Sequence, residues 1–285
     1  MTTRTTMRQR QSANRPSRRG VLRLGGVAAF CALSARAGIA PQIRRAIAGQ
    51  APIVAAASSL RFVLPAITNL FRRQTGLSLR LAFGSSGNLR RQITKGGPYE
   101  MFLSADSAHV EELARAGYTA GQSLVYARGR LAIFASNNSP LEPDGELGDL
   151  AAALDDGRLG HFAIANPRHA PYGLRAEQAL RHRGLWARLQ GALLIGENIA
   201  QAARYAAGGG ADGGLIAQSL AVAPAIRAKG RSALVPEAWH TPLRQRAVLL
   251  KGAGPTARRF LAFLQADEVV QLFEHHGFAR PGKRG

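Results

Sequence analysis

The sequence predicts an α/β protein with mostly parallel sheets covered by helices on both faces and arranged as two lobes. Between residues 52 and 116 apolar strands and amphipathic helices alternate in a β-α-β-α-β-α run, and such alternation marks a parallel sheet with helices on either side. The segment LVYARGRLAIFAS at 124–136 is extended and long enough to leave one lobe and enter another. With 285 residues, 46% of them hydrophobic, the chain can bury the core that two lobes require.

Each element has its own reason. PIVAAAS at 52–58 is a short apolar run ending in small residues, which predicts a buried strand. Leu60, Val63, Leu64, Ile67, Leu70 and Phe71 then recur at i, i+3, i+4 spacing, a helix stopped at Gly76. Leu77, Leu79, Leu81 and Phe83 alternate with Ser78, Arg80 and Ala82, a strand over 77–83. A helix at about 87–95, the strand EMFLSA at 100–105 and a helix at about 107–116 complete this run. Beyond the extended segment come a strand at 162–165, helices at about 171–182, 184–189 and 198–207, and a strand at 213–217. Past Pro236, the strand RAVLL at 246–250 and a helix at about 255–266 return to the first lobe. The predicted organisation is 49–127 and 239–285 for the first lobe and 128–238 for the second, with 1–48 as a separate leader.

The leader carries ten arginines and no acid, so the remaining 28 Lys and Arg face 17 Asp and Glu and the body is about +11 rather than the whole-chain +21. Those basic residues are scattered among acids and form no stripe with interleaved aromatics, which argues against nucleic acid as a partner. Within the leader, SRRGVLR at 17–23 precedes an apolar stretch of about a dozen residues, too short for a bilayer that needs about 20. This resembles a twin-arginine export signal, with Arg18 and Arg19 as its pair, and implies a periplasmic destination with cleavage after Ala48. The single Cys31 excludes an intrachain disulfide, and Phe30 before it argues against a lipoprotein anchor.

Two strand-to-helix turns look alike, AAASS at 55–59 and GSSGN at 84–88. In open α/β sheets that edge is where ligands bind. Unpaired N–H groups at helix N-termini, the positive end of the helix dipole and serine hydroxyls together suit an anion. Serine is also a common N-cap, so the same residues can do no more than start helices. GGGADGG at 208–214 lacks the Lys and Ser/Thr of a phosphate-binding loop and is predicted to be a plain loop.

AAASSL, FGSSGNLRRQI, FLSAD at 102–106, NPRHAPYG at 166–173 and GENIAQA at 196–202 follow one another in the order and spacing of a known family. Over residues 52–279 the chain resembles the periplasmic molybdate-binding proteins of ABC transporters. The resemblance implies a type II periplasmic binding protein fold: two α/β lobes joined by two crossover strands, with an oxyanion in the cleft. It implies a monomer that binds molybdate or tungstate, with no further cofactor, and hands it to an inner-membrane permease with its ATPase subunit. Carried over by position, the ligand residues are Ser58 with the Ser59 amide, Ser86, Tyr172 before the Gly of the Pro-x-Gly motif, and the Ile199 amide. Some members place a tyrosine where this chain has Ala217, and the resemblance then assigns the missing hydroxyl to Tyr172; otherwise Tyr172 lines the cleft wall with its hydroxyl in water.

The chemistry favours such an ion. Molybdate and tungstate are unprotonated dianions that only accept hydrogen bonds, so a set of N–H and O–H donors suits them. Phosphate keeps a proton near neutrality and would gain from a carboxylate, and neither serine turn contains one. Sulfate is also a pure acceptor and remains the rival ligand, with cavity size the discriminator. An enzyme of the same bilobal form is the rival of another class. Asp106 and Glu197 could pose as a catalytic pair, but no nucleophile or base accompanies them, and Asp106 is expected to cap the helix after it. His275 and His276 point to different sides of a helix and are not expected to hold a metal.

Overall fold

The computed structural model describes residues 51–282. The leader with Arg18, Arg19 and Ala48 lies outside the described residues. Strand β1 (Ile53–Ala57) is the Ala-rich run, buried from Val54 onward. Its side chains alternate, so Val54 and Ala56 enter one core layer and Ala55 another. A short 3₁₀ turn, Ser58–Leu60, follows, and then helix α1 (Val63–Thr75). Gly76 ends α1 at φ 71°, its N–H on the Arg72 carbonyl at 2.9 Å, the left-handed stop that only glycine adopts without strain.

The chain continues through β2 (Arg80–Gly84), α2 (Ser86–Thr94), β3 (Met101–Ser104), α3 (Ala108–Arg115) and the long β4 (Thr119–Gly129). Arg130 separates β4 from β5 (Leu131–Ser136), and there the chain passes from one sheet to the other. The second sheet is served by α4 (Gly148–Asp155), β6 (Phe162–Ala165), α5 (Pro171–His182), α6 (Trp186–Leu189), β7 (Leu193–Gly196), α7 (Ile199–Ala207), β8 (Gly213–Ala217), α8 (Gln218–Ala221), α9 (Pro224–Arg227) and β9 (Gly230–Leu234). A second 3₁₀ turn, Glu237–Trp239, leads into β10 (Leu243–Leu250), which returns to the first sheet before α10 (Pro255–Phe263) and α11 (Asp267–His275).

The two sheets run β2-β1-β3-β10-β4 and β7-β6-β8-β5-β9. In each, three neighbouring strands are parallel and the strand that crosses between sheets, β10 or β5, pairs antiparallel with both its neighbours. The sheets are therefore mixed rather than mostly parallel, because a strand arriving from the other lobe enters in the opposite sense. The expected extended segment is two strands, the expected helix at 255–266 ends at Phe263, and β7, β9, α4, α8, α9 and α11 add to the predicted set. On one face of the first sheet Phe71 packs edge-on to Phe260 at 5.1 Å between ring centres, among residues of α1, α10 and α11. Burying a side chain of that size stabilises by about 1.5–3 kcal/mol. On the opposite face Phe102 and Val248 meet Leu89 and Val110 of α2 and α3. The parallel trio in each sheet brings the starts of α2, α5 and α7 and the 3₁₀ turn after β1 to the facing edges of the lobes.

Candidate functional site

From the first lobe, the turn after β1 presents Ser58 and Ser59 and the turn after β2 presents Ser85 and Ser86, all buried. From the second, α5 starts with Pro171 and Tyr172 and α7 starts with Ile199. Proline at the first helical position fits, since its missing N–H would have had no helical partner. Asn198 caps α7, its carboxamide oxygen accepting from the N–H groups of Ala200 and Gln201 at 3.1 Å each. That cap leaves the Ile199 N–H, first in the helix, without an intrahelical partner.

These turns enclose one small cavity. Ser58, Ser59, Ser86, Tyr172 and Ile199, the five residues expected from the sequence, all line it. None of the five is more than 4% exposed. No charged side chain lines the walls, which otherwise consist of Ser85, small residues and Pro171. A larger groove between α1 and α11 is more open to solvent, and its walls, unlike those of the small cavity, carry charged side chains, Arg73 and Glu268.

The hydroxyls share one arrangement. Ser86 Oγ accepts from the Ala105 N–H at 3.0 Å, Ser58 Oγ from the Ala200 N–H at 3.4 Å, and the Tyr172 hydroxyl from Gln245 Nε2 at 3.0 Å. Among the described residues none of the three donates to a protein acceptor. Each has a lone pair engaged and its proton left over. Ser59 Oγ is buried beside the Tyr172 hydroxyl without a hydrogen bond of good geometry among the described residues, a state that costs about 1–3 kcal/mol where it goes unrelieved. Burial also raises the Tyr172 phenol above its ordinary pKa, against the pull of the neighbouring Ser59 and Gln245, so it stays protonated at neutral pH.

Neither serine turn is a simple helix cap. Ser85, at the N-cap of α2, makes no capping bond with its side chain. Its hydroxyl instead meets His169 Nδ1 at 2.9 Å. His169 in turn lies 3.6 Å from Glu197, which also accepts from Asn88 Nδ2 at 3.4 Å. The Gly87 N–H donates to the His169 carbonyl at 2.9 Å, and a Cβ at 87 would come within 2.6 Å of that oxygen. Close approach of the two lobes thus requires glycine there. Ser219 adds a bond from α8 to the Ser59 carbonyl at 2.9 Å.

The Tyr172 hydroxyl does not face water: the residue is 1% exposed. Ala217 is buried in β8 opposite Leu131 and is not part of the cavity wall. Asp106 accepts a stretched bond from the His109 N–H at 3.4 Å at the start of α3, close to its expected capping role. Sequence reasoning missed Ser85 as a contact and His169 and Gln245 altogether. For Gln245 a signal existed: Leu243, Gln245, Ala247 and Leu249 share the buried phase of β10, where a polar side chain is out of place.

A profile of the family described as bacterial extracellular solute-binding protein matches residues 52–279. The chain belongs to that family. This solute-binding protein is 34% identical over 230 residues to the molybdate-binding protein ModA of Rhodobacter capsulatus, a match covering 79% of this chain and 87% of the relative. Its structure is similar to the periplasmic molybdate-binding protein of Azotobacter vinelandii, at 29% identity and a TM-score of 0.73 over 81% of this chain and 99% of that one. The fold is shared more widely: the sulfate-binding protein SubI of Mycobacterium tuberculosis H37Rv, 13% identical, superposes with a TM-score of 0.66 over 82% of this chain and 88% of its own.

Proposed function

We propose that this solute-binding protein captures molybdate, and tungstate with it, in the cavity between its lobes and delivers the ion to the membrane permease and ATPase of an ABC importer. One observation carries the reading: three buried hydroxyls accept from the protein and donate to no acceptor among the described residues, in a cavity without charged walls. Such a site offers protons to an ion that is only an acceptor and has no carboxylate to take the proton that phosphate retains. The proposed ligand set is the hydroxyls of Ser58, Ser86 and Tyr172 and the N–H groups of Ser59 and Ile199. Because these come from both lobes, all are available to one ion only when the lobes are shut, which is the differential contact that drives closure. The small cavity argues against an organic metabolite and a catalytic role. The lobes we assign as 49–127 with 239–285, and 128–238.

A thermal-shift panel of molybdate, tungstate, sulfate and phosphate on residues 49–285 tests the assignment. Molybdate and tungstate at 100 times their dissociation constants should add about 2.7 kcal/mol of stability, with sulfate and phosphate at the same concentrations having little effect. An equal shift with sulfate assigns the site to the rival oxyanion, and a larger shift with phosphate removes the donor-only reading. We also assign the chain to the periplasm, exported through Arg18 and Arg19. Retention of the precursor in the cytoplasm after Arg18→Lys with Arg19→Lys is the expected result, and normal export of that variant contradicts it.

A further inference from the structure

Gln245 stands 0% exposed on β10, between Leu243, which belongs to the core of the second lobe, and Ala247 and Leu249, which belong to the first. Its amide has a hydroxyl on either side. Tyr126 donates to Gln245 Oε1 at 3.0 Å, with the Ser104 carbonyl a second acceptor at 3.3 Å. Gln245 Nε2 donates to the Tyr172 hydroxyl at 3.0 Å. The junction is closely fitted, for a Cβ at Gly129 would lie 2.3 Å from the Tyr172 hydroxyl and 2.7 Å from Gln245 Nε2.

A primary amide has two unlike ends, and fixing one fixes the other. With its oxygen taking the Tyr126 proton, Gln245 presents only N–H to Tyr172. The phenol oxygen must then accept from that side, and its own proton is directed elsewhere. We propose that Gln245, oriented by Tyr126, is a positioning residue for ligand binding that commits the Tyr172 hydroxyl to donate into the cavity. The opposite orientation of the amide would take the Tyr172 proton and turn an oxygen lone pair toward an anion. Burial raises both phenols above their ordinary pKa, so each keeps the proton the relay needs. This inference rests on the assignment of Tyr172 to the ligand set.

A double-mutant cycle by calorimetry with molybdate tests it. Tyr172→Phe removes the donor, and Gln245→Met keeps the volume while releasing the hydroxyl. Gln245→Met alone should weaken binding roughly tenfold, about 1.4 kcal/mol. In the Tyr172→Phe background it should have no further effect. Equal losses in both backgrounds, or no loss in either, overturn the relay. If Tyr172→Phe binds as wild type, the assignment of Tyr172 itself fails, which is a separate result. Should Gln245→Met not fold, Tyr126→Phe provides the same cycle, since it frees the amide to turn; its loss must likewise vanish without the Tyr172 hydroxyl.

Discussion

The two lobes reach the same cavity with different chemistry. In the proposed ligand set the first contributes two short hydroxyls, Ser58 and Ser86, with the Ser59 N–H beside them; the second contributes the Ile199 N–H at the start of α7 and a single long side chain, Tyr172. Sheets with one strand plan, three parallel strands and an antiparallel crossing strand, end in unlike donor sets. The architecture fixes where donors can be placed, and local sequence decides whether side chain or main chain supplies them. A backbone donor tolerates substitution of its side chain, and a hydroxyl does not.

Removing the first lobe's share should have the largest effect. Ser86→Ala takes away a hydrogen bond to a charged ligand, worth about 1.5–3 kcal/mol, and is expected to weaken molybdate binding by about 10- to 150-fold in calorimetry. It also strands the buried Ala105 N–H and should lower the melting temperature, an effect that a mere helix cap would not explain. Wild-type affinity in this variant would break the comparison at its stronger end.

On the second lobe, Ile199→Pro and Ile199→Ala separate main chain from side chain. Both lose the same packing, but only proline loses the N–H. Ile199 is the first residue of α7 and Asn198 before it is extended at φ −155°, ψ 170°, so the helix accepts proline there. The expected result is about tenfold weaker binding for proline than for alanine. Equal affinities would mean that the second lobe offers no backbone donor.

Tyr172→Phe keeps the ring and removes one proton. Loss of a donor that acts only in the closed form should reduce both affinity, by roughly tenfold, and the compaction seen in small-angle scattering at saturating molybdate. Full compaction with wild-type affinity would leave the second lobe with its backbone donor alone.

Acidification should give the smallest change. Burial holds His169 below its ordinary pKa of 6.5, opposed by Glu197 and assisted by Arg91, Arg168 and His109. His109 and His240 are lowered by burial as well. A histidine with a lowered pKa binds fewer protons in the folded form, so its contribution is complete above about pH 6.5 and is lost as pH falls below it. The melting temperature should therefore fall modestly between about pH 7.5 and 5.5. A rise on acidification would contradict this sign.

The same contrast explains what could be read from the sequence. Ser58 and Ser86 were legible because their side-chain type and their position between strand and helix both speak for an anion site. Ile199 was not, since a backbone N–H leaves no mark in the residue type, and it came only through resemblance to a family. His169, Glu197 and Gln245 act through partners far along the chain, such as Ser85 and Tyr172, and periodicity describes only neighbours. In the fold, the long amphipathic helix Val63–Thr75 was plain, whereas β9 was not, as Gly230–Leu234 has partly or fully exposed side chains and no strong alternation. The antiparallel sense of β10 depends on the path by which the chain returns, and its residues do not encode that path.

The bonds that tie the lobes beside the cavity, Gly87 to the His169 carbonyl, Ser85 to the His169 ring and Ser219 to the Ser59 carbonyl, also bear on time. An ion walled in by residues this buried has no route out past a mobile side chain, and its escape must wait for the lobes to part. Its residence time is then the waiting time of a hinge, and those contacts, which need not touch the ion, set the clock. A permease that pulls on either lobe would shorten the wait without competing for a single ligand bond.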